Sequence, residues 1–268
     1  MSSLDSLFTD LRAHGKKAFL PFVTAGDPDI QTTAAIIQAL AQCGASACEV
    51  GVPYSDPIAD GPVIQASYQR ALESGFRLSQ VFDLGKQLTP ALSMPLLTMV
   101  SYSMIHRSGI QRYVDSAMQA GYCGAIVPDL LLEEAKPLAD VCRKADFSLV
   151  QLVTPTTPRE RQVRIAELSS GFLYFVSVTG ITGERSEMPP GLLDNVGWLR
   201  EHTALPICIG FGVSNAETAA TLAPAADGVI VGSAIVKRIA AAKDRQAAVA
   251  DVSAFAKQIV AAIQPPSS

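Results

Sequence analysis

Short apolar runs rich in β-branched and aromatic residues recur along the chain at 18–24, 46–52, 95–101, 124–128, 147–153, 172–178, 205–211 and 227–232. Each is long enough for a strand and too short for a helix. Between them lie stretches whose apolar positions repeat at helical spacing, predicting helices over 30–42, 62–74, 110–120, 131–144, 158–169, 192–202, 215–223 and 245–263. Further helices are expected at the N-terminus and over 78–88. Strand followed by helix, repeated eight times, implies parallel strands joined by right-handed crossovers. With no linker or composition break across residues 1–268, the pattern predicts an α/β protein built as one (β/α)8 TIM barrel domain with an extra N-terminal helix. A doubly wound open sheet is the alternative.

Barrel topology decides where chemistry is sought, because the loops after the strand C-termini gather on one face and that face carries the active site. Those after the first, second and sixth strands, AGDPD (25–29), PYSDPIADGP (53–62) and TGITGERSEMPP (179–190), are rich in turn and polar residues. The last two are long, as binding loops and lids are.

Composition narrows the classes. Of 268 residues 49% are apolar and 17% charged, enough for a sizeable core, and 21 basic against 25 acidic residues give a net charge of −4. The basic excess that nucleic-acid binding needs is missing. Five cysteines, an odd number without a C-x-x-C pair, suit a reducing compartment better than a disulfide framework or a zinc site. Acids interrupt the apolar residues of the first segment, unlike a secretory leader, and the uncharged stretches 30–48 and 87–105 are diluted by polar residues or broken by proline. A soluble cytoplasmic protein without a membrane span is expected.

Glu49 interrupts an otherwise apolar strand. By alternation it shares a face with Ala47 and Gly51, and if Val50 and Val52 turn to the helices, Glu49 enters the barrel lumen. No Lys or Arg occurs between Lys17 and Arg70 to pair it locally. A carboxyl buried without a cation is costly and takes a raised pKa, which suits a group that both donates and accepts a proton. Asp60 lies at the far end of the following loop, eleven residues on, where it can fold over the barrel mouth as a second acid with a different environment. Asp56, beside Pro57, is expected only to build the turn.

Glycines mark a second kind of site. Gly180 and Gly183 in the sixth loop, Gly210 and Gly212 around Phe211, and the Gly232-Ser233 step follow consecutive strands. Loops after the last two strands, with the N-terminus of a short helix, form the recurring phosphate cradle of such barrels. Three histidines, His14, His106 and His202, do not converge, so no multi-histidine metal site is expected, and no lysine lies within a strand to act as a Schiff base. No G-x-G-x-x-G follows a strand. A cofactor-free, carboxylate-driven reaction on a phosphate ester remains. Tyr174 is either core packing or part of the site, and Phe22, Met99, Val100 and Ile126, late in their strands, either fill the core or line an apolar pocket for a flat ring.

The segment EVGVPYSDPIADGPVIQ (49–65) resembles the signature of the tryptophan synthase alpha subunit family, supported by FLPFVTAGDPD (19–29), VPDLLLEE (127–134), GITGERS (180–186), GFGVSN (210–215) and DGVIVGSAIV (227–236). Together these span nearly the whole chain. The resemblance implies retro-aldol cleavage of indole-3-glycerol phosphate to indole and glyceraldehyde 3-phosphate, a step of tryptophan biosynthesis. It implies Glu49 as catalytic acid/base, Asp60 as second catalytic carboxylate and Tyr174 in the same site. It further implies phosphate contacts at Gly183, Phe211, Gly212, Gly232 and Ser233, a lid around Thr182, and an indole pocket for which Phe22, Met99, Val100 and Ile126 are the candidates. Leu131, where proline is common, and Glu184, where alanine is common, depart from the family pattern in loop detail. The implied partner is a beta subunit in an alpha2beta2 heterotetramer, holding pyridoxal phosphate that this chain itself lacks. A stand-alone indole-releasing lyase, another barrel enzyme acting on a phosphorylated sugar, and a non-catalytic phosphate-binding barrel are the alternatives.

Overall fold

The computed structural model describes residues 2–176, 191–210 and 212–264. In chain order these form α1 (Ser3–Ala13), β1 (Ala18–Thr24), α2 (Ile30–Gln42), β2 (Cys48–Gly51), α3 (Pro62–Glu73), α4 (Leu78–Leu88), β3 (Leu96–Met99), α5 (Tyr102–Ser108), α6 (Ile110–Gln119) and β4 (Gly124–Ile126). There follow α7 (Leu132–Lys144), β5 (Ser148–Val150), β6 (Leu152–Val153), α8 (Arg159–Leu168), β7 (Leu173–Val176), α9 (Leu192–Arg200), β8 (Ile207–Gly210), α10 (Ala216–Leu222), β9 (Gly228–Val231), α11 (Ser233–Ala241) and α12 (Arg245–Ile263).

The strands lie side by side in the order β5-β4-β3-β2-β1-β9-β8-β7-β6, and every recorded pairing is parallel. The two ends of that order are separated in sequence only by Gln151. β5 bonds β4 on one side, and the Gln151 carbonyl accepts from the Tyr174 N–H on the other at 3.1 Å. One broken stave therefore closes the ring through the chain itself. The nine segments are the eight predicted runs with the fifth divided, and the barrel, not the open sheet, is the architecture.

Alternation sorts the strand residues into two layers. Leu20, Ala47, Leu97, Ile126, Val150, Tyr174, Cys208 and Ile230 pack inside the ring, while Val23, Cys48, Val50, Leu96, Leu149, Ile209 and Val229 pack outward against the helices. Thr98, on the outward face of β3, bonds the Tyr113 hydroxyl of α6 at 2.8 Å, so even its polar atom is satisfied in that layer. The bottom of the ring is plugged by α1, whose Leu4 and Phe8 join the inner cluster, with Phe8 and Phe172 rings 5.8 Å apart. α1 begins at a Ser2 cap that exchanges bonds with Asp5. It is fixed at its other end by Arg12 on the buried Asp227 at 3.0 Å, which Arg200 approaches to 3.2 Å.

Two helices were not predicted as elements. α5 is a seven-residue helix, parted from α6 by Gly109 at φ +88°, and such a length is too short for periodicity to declare. α11 follows β9 with one residue between them, so its apolar positions merge with the strand's. α12 is long and apolar enough to cross a membrane by length and composition alone. Here Val252, Phe255, Ala256, Ile259 and Ile263 are buried, and the helix packs on α2, α10 and α11.

Candidate active site

Glu49 stands in β2 between Phe22 of β1 and Leu97 of β3. Because Val50 and Val52 belong to the outer layer, Glu49 faces the lumen as the alternation predicts. It is 0% exposed, and neither carboxylate oxygen finds a hydrogen-bond partner among the described residues. Burial alone pushes its carboxyl well above the ordinary range, which favours the protonated form.

Asp60 reaches the same cavity from above. The loop from Val52 is stiffened by the Asp56 carbonyl accepting from the Ile58 N–H at 2.8 Å and the Pro57 carbonyl from the Asp60 N–H at 3.1 Å. Gln65, one turn into α3, donates to the Pro57 and Asp60 carbonyls at 3.2 and 2.7 Å. Gly61 and Pro62 then start α3 with proline at its first turn, where its missing N–H is harmless. The outcome is an inward Asp60 and an exposed Asp56, the division expected from the sequence. Burial, and next the charge of Asp129, push Asp60 up to about 7. Its Oδ2 is buried without a partner among the described residues. Asp129 is held nearby by the Ser101 hydroxyl at 2.6 Å and the Tyr102 N–H at 2.7 Å, tying the loops after β3 and β4 together.

These two acids share a cavity of about 250 Å³ at the strand C-termini with Phe22, Met99, Tyr174, Ile64 and Ile230. Two small residues make the space. A Cβ on Gly51 would come within 2.6 Å of two atoms of the Phe22 ring and 2.9 Å of the Tyr68 hydroxyl, and one on Gly210 would lie 2.8 Å from the Tyr174 ring. Gly210, grouped by the sequence with the phosphate glycines, thus also serves to seat Tyr174. Burial, followed by the charges of Glu49 and Asp60, pushes the Tyr174 hydroxyl well up, so it stays a neutral donor.

The far wall of the cavity is built from glycines and a helix N-terminus. Gly212, at φ +85°, adopts a backbone conformation that favours glycine, and Gly232 and Ser233 lie at the start of α11. All three line the cavity, as do Val213, Ser214 and Ala234. The first N–H groups of a helix have no acceptor within it, and together with the helix dipole they favour an anion. Gly183, Phe211 and Thr182 lie outside the described residues.

Two of the four pocket candidates do not line the cavity. Val100 is buried in the layer between barrel and helices, because it falls on the outward parity of the β3 run, and it does not line the cavity. Ile126 does point into the lumen but is fully packed in the inner cluster, with Ala47, Leu97 and Val150, and does not line the cavity. Parity argues against Val100 from sequence alone, since Met99 precedes it on the inward face. Sequence reasoning passed over Ile64, Tyr68, Lys237 and Arg238. Their helices carry them to the site, and only the Q-A-S-Y and S-A-I-V-K spacing after the two loops offered a signal. Among the described residues no group of three or more His, Cys, Asp or Glu is arranged to hold a metal ion.

Comparison with known proteins identifies the family. The family model for the tryptophan synthase alpha chain matches residues 8–264. The tryptophan synthase alpha chain of Rhodopirellula baltica is 66% identical over 248 residues, covering 91% of this chain and 89% of that one. Tryptophan synthase subunit alpha of Legionella pneumophila superposes with a TM-score of 0.90 at 32% identity, covering 98% of each chain. A chain of the tryptophan synthase complex of Pyrococcus furiosus does so at 0.84 and 35% identity, covering 91% of this chain and 98% of that one. By sequence along nearly its whole length and by fold, the chain belongs to the tryptophan synthase alpha chain family.

Proposed function

We propose that this lyase carries out the alpha reaction of tryptophan biosynthesis, the retro-aldol cleavage of indole-3-glycerol phosphate to indole and glyceraldehyde 3-phosphate. The observation that carries the catalytic assignment is Glu49, fully buried in the lumen and unpaired among the described residues, with burial pushing its carboxyl well up. Breaking the bond between indole C3 and the side chain needs a proton delivered to C3 and one removed from the adjacent side-chain hydroxyl, whose carbon becomes the aldehyde. Glu49 starts as the acid and gives its proton to C3. The carboxylate so formed takes the hydroxyl proton as the carbon–carbon bond breaks, and Glu49 is restored without water or a second base. One carboxyl serves both transfers because burial favours its protonated form between turnovers.

Protonation of C3 puts positive charge on the indole nitrogen. Asp60, on the loop above, accepts the ring N–H and stabilises that charge as it develops. Near 7 in the open cavity, its carboxyl is drawn down by the donated N–H, since a hydrogen bond to the charged form favours ionisation. Phe22, Met99 and Ile64 supply apolar walls for the ring, Tyr174 offers a neutral hydroxyl toward the substrate side chain, and Gly212, Gly232 and Ser233 anchor the phosphate. Gly183, Phe211 and a lid around Thr182 complete the site in this reading.

The partner is a beta subunit, and we infer an alpha2beta2 assembly in the cytoplasm with pyridoxal phosphate in the partner and no cofactor in this chain. Ile58, 87% exposed on the very loop that carries Asp60, supports this. A partner covering Ile58 would press on that loop, exclude water and set Asp60. The five cysteines, all free, suit a reducing compartment. The test is indole release from indole-3-glycerol phosphate by the purified chain, with and without a beta subunit, beside Glu49→Gln. Turnover in that variant is expected to fall by about three orders of magnitude or more while inorganic phosphate still binds. A variant that turns over comparably to the parent refutes the role of Glu49.

A further inference from the structure

A phosphate monoester brings about −1.5 to −2 charges at neutral pH, and the nest that receives it is built from neutral groups. Gly212, Gly232 and Ser233 contribute N–H donors, and the α11 dipole adds about half a positive charge. Against this, two acids face the same cavity, one of them near its titration point. Among the described residues lining the cavity, two are cationic, Lys237 and Arg238, both from α11. Arg238 is directed to α12: its Nη1 lies 2.8 Å from Asp251 Oδ1, and its guanidinium sits 4.3 Å from the centre of the Phe255 ring. Lys237 follows Ser233 by four residues, which brings it beneath the helix N-terminus on the same face. It is exposed at the cavity wall, where a long stem can carry an ammonium to an anion at the nest.

We propose that Lys237 is a positioning residue for the phosphoryl group, supplying the net charge that the glycine nest and helix dipole lack. This rests on the function proposed above and adds a residue to its anion end. Lys237 draws the dianion into the nest and holds it there, while bond cleavage at the other end of the substrate is left to Glu49.

The experiment uses the full chain with its beta subunit and compares the parent with Lys237→Met and Lys237→Arg. For Lys237→Met, KM for indole-3-glycerol phosphate is expected to rise about 5- to 20-fold, the worth of one charge-assisted contact at a partly exposed site, with kcat within about twofold. Inhibition by inorganic phosphate should weaken in parallel, while the affinity for indole, which carries no charge, stays unchanged. Lys237→Arg should recover most of the affinity. The fall of kcat/KM with added salt should be shallower in Lys237→Met than in the parent. Unchanged KM and unchanged phosphate inhibition overturn the proposal, and so does an equal loss of indole affinity, which would mark a purely structural role. The two readings fail separately: a parent complex that releases no indole refutes the function, whereas phosphate binding measured calorimetrically on the same variants still decides Lys237.

Discussion

Replacing Asp60 by Asn should stabilise the fold and disable the enzyme, and the sign follows from its titration. In the unfolded chain the carboxyl titrates near 3.8, and in the fold, lifted by burial and then by Asp129, near about 7. Between these values the native state keeps a proton that the unfolded state has lost. Stability therefore falls as pH rises through that window and is lowest above it. Three pH units at about 1.4 kcal/mol each bound the loss at roughly 4 kcal/mol. Because Asp60 is only partly buried and water reaches its cavity, about half of that, near 2 kcal/mol, is expected to be realised. Asn has nearly the same shape and cannot ionise. Relative to the parent, Asp60→Asn should match it below about pH 4 and exceed it at pH 8 by about 2 kcal/mol, a rise in Tm of roughly 4–8 °C for a chain of this size. Calorimetric melts of both proteins at half-unit steps from pH 4 to 8 read this directly. Turnover on the same samples should drop about 10²- to 10³-fold, because the developing positive charge loses its counter-charge. A variant that is equally or less stable at pH 8, or whose difference from the parent does not vary with pH, refutes the claim that Asp60 is held in an environment hostile to its charge.

Other outcomes follow from the same contacts. Asp129→Asn removes a charge facing Asp60 while leaving an oxygen for Ser101 or Tyr102, so the acid limb of the kcat profile should move to lower pH; a limb that stays in place uncouples the two residues. Gly51→Ala drives a methyl into Phe22 and Tyr68 and should cost about 1–3 kcal/mol in thermal melts, with a raised KM as the cavity floor shifts. Burial pushes Asp227 up, but the Arg12 hydrogen bond, the Ile207 N–H and the Arg200 charge outweigh it and hold the carboxyl below its ordinary range. Its contribution is thus present above about pH 4 and lost as pH falls through the lowered value. Asp227→Ala should cost about 1–3 kcal/mol at pH 7, the arginines being partly exposed, and proteolysis should cut first at a loosened α1. An intact α1 under those conditions counts against Arg12 and Asp227 as the anchor of α1.

The alternation of strand and helix, and the parity within each strand, were legible in the sequence because side-chain direction along a strand is fixed by local geometry. That parity alone sends Glu49 inward and Val50 outward, and the missing cation near Glu49 is a fact of composition. Turn chemistry likewise separates Asp60 from Asp56. Only the tertiary structure decided depth and distance. Ile126 and Met99 are register partners on neighbouring strands and share a parity, yet only Met99 lines the cavity, because whether an inward side chain meets open space depends on what packs around it from elements far apart in the chain. Closure of the ring at Gln151, the seating of Tyr174 over Gly210, and the arrival of Lys237 at the anion nest are long-range contacts of the same kind. Local pattern fixes which way a residue faces; what it faces is set by the packing of elements that the pattern does not bring together.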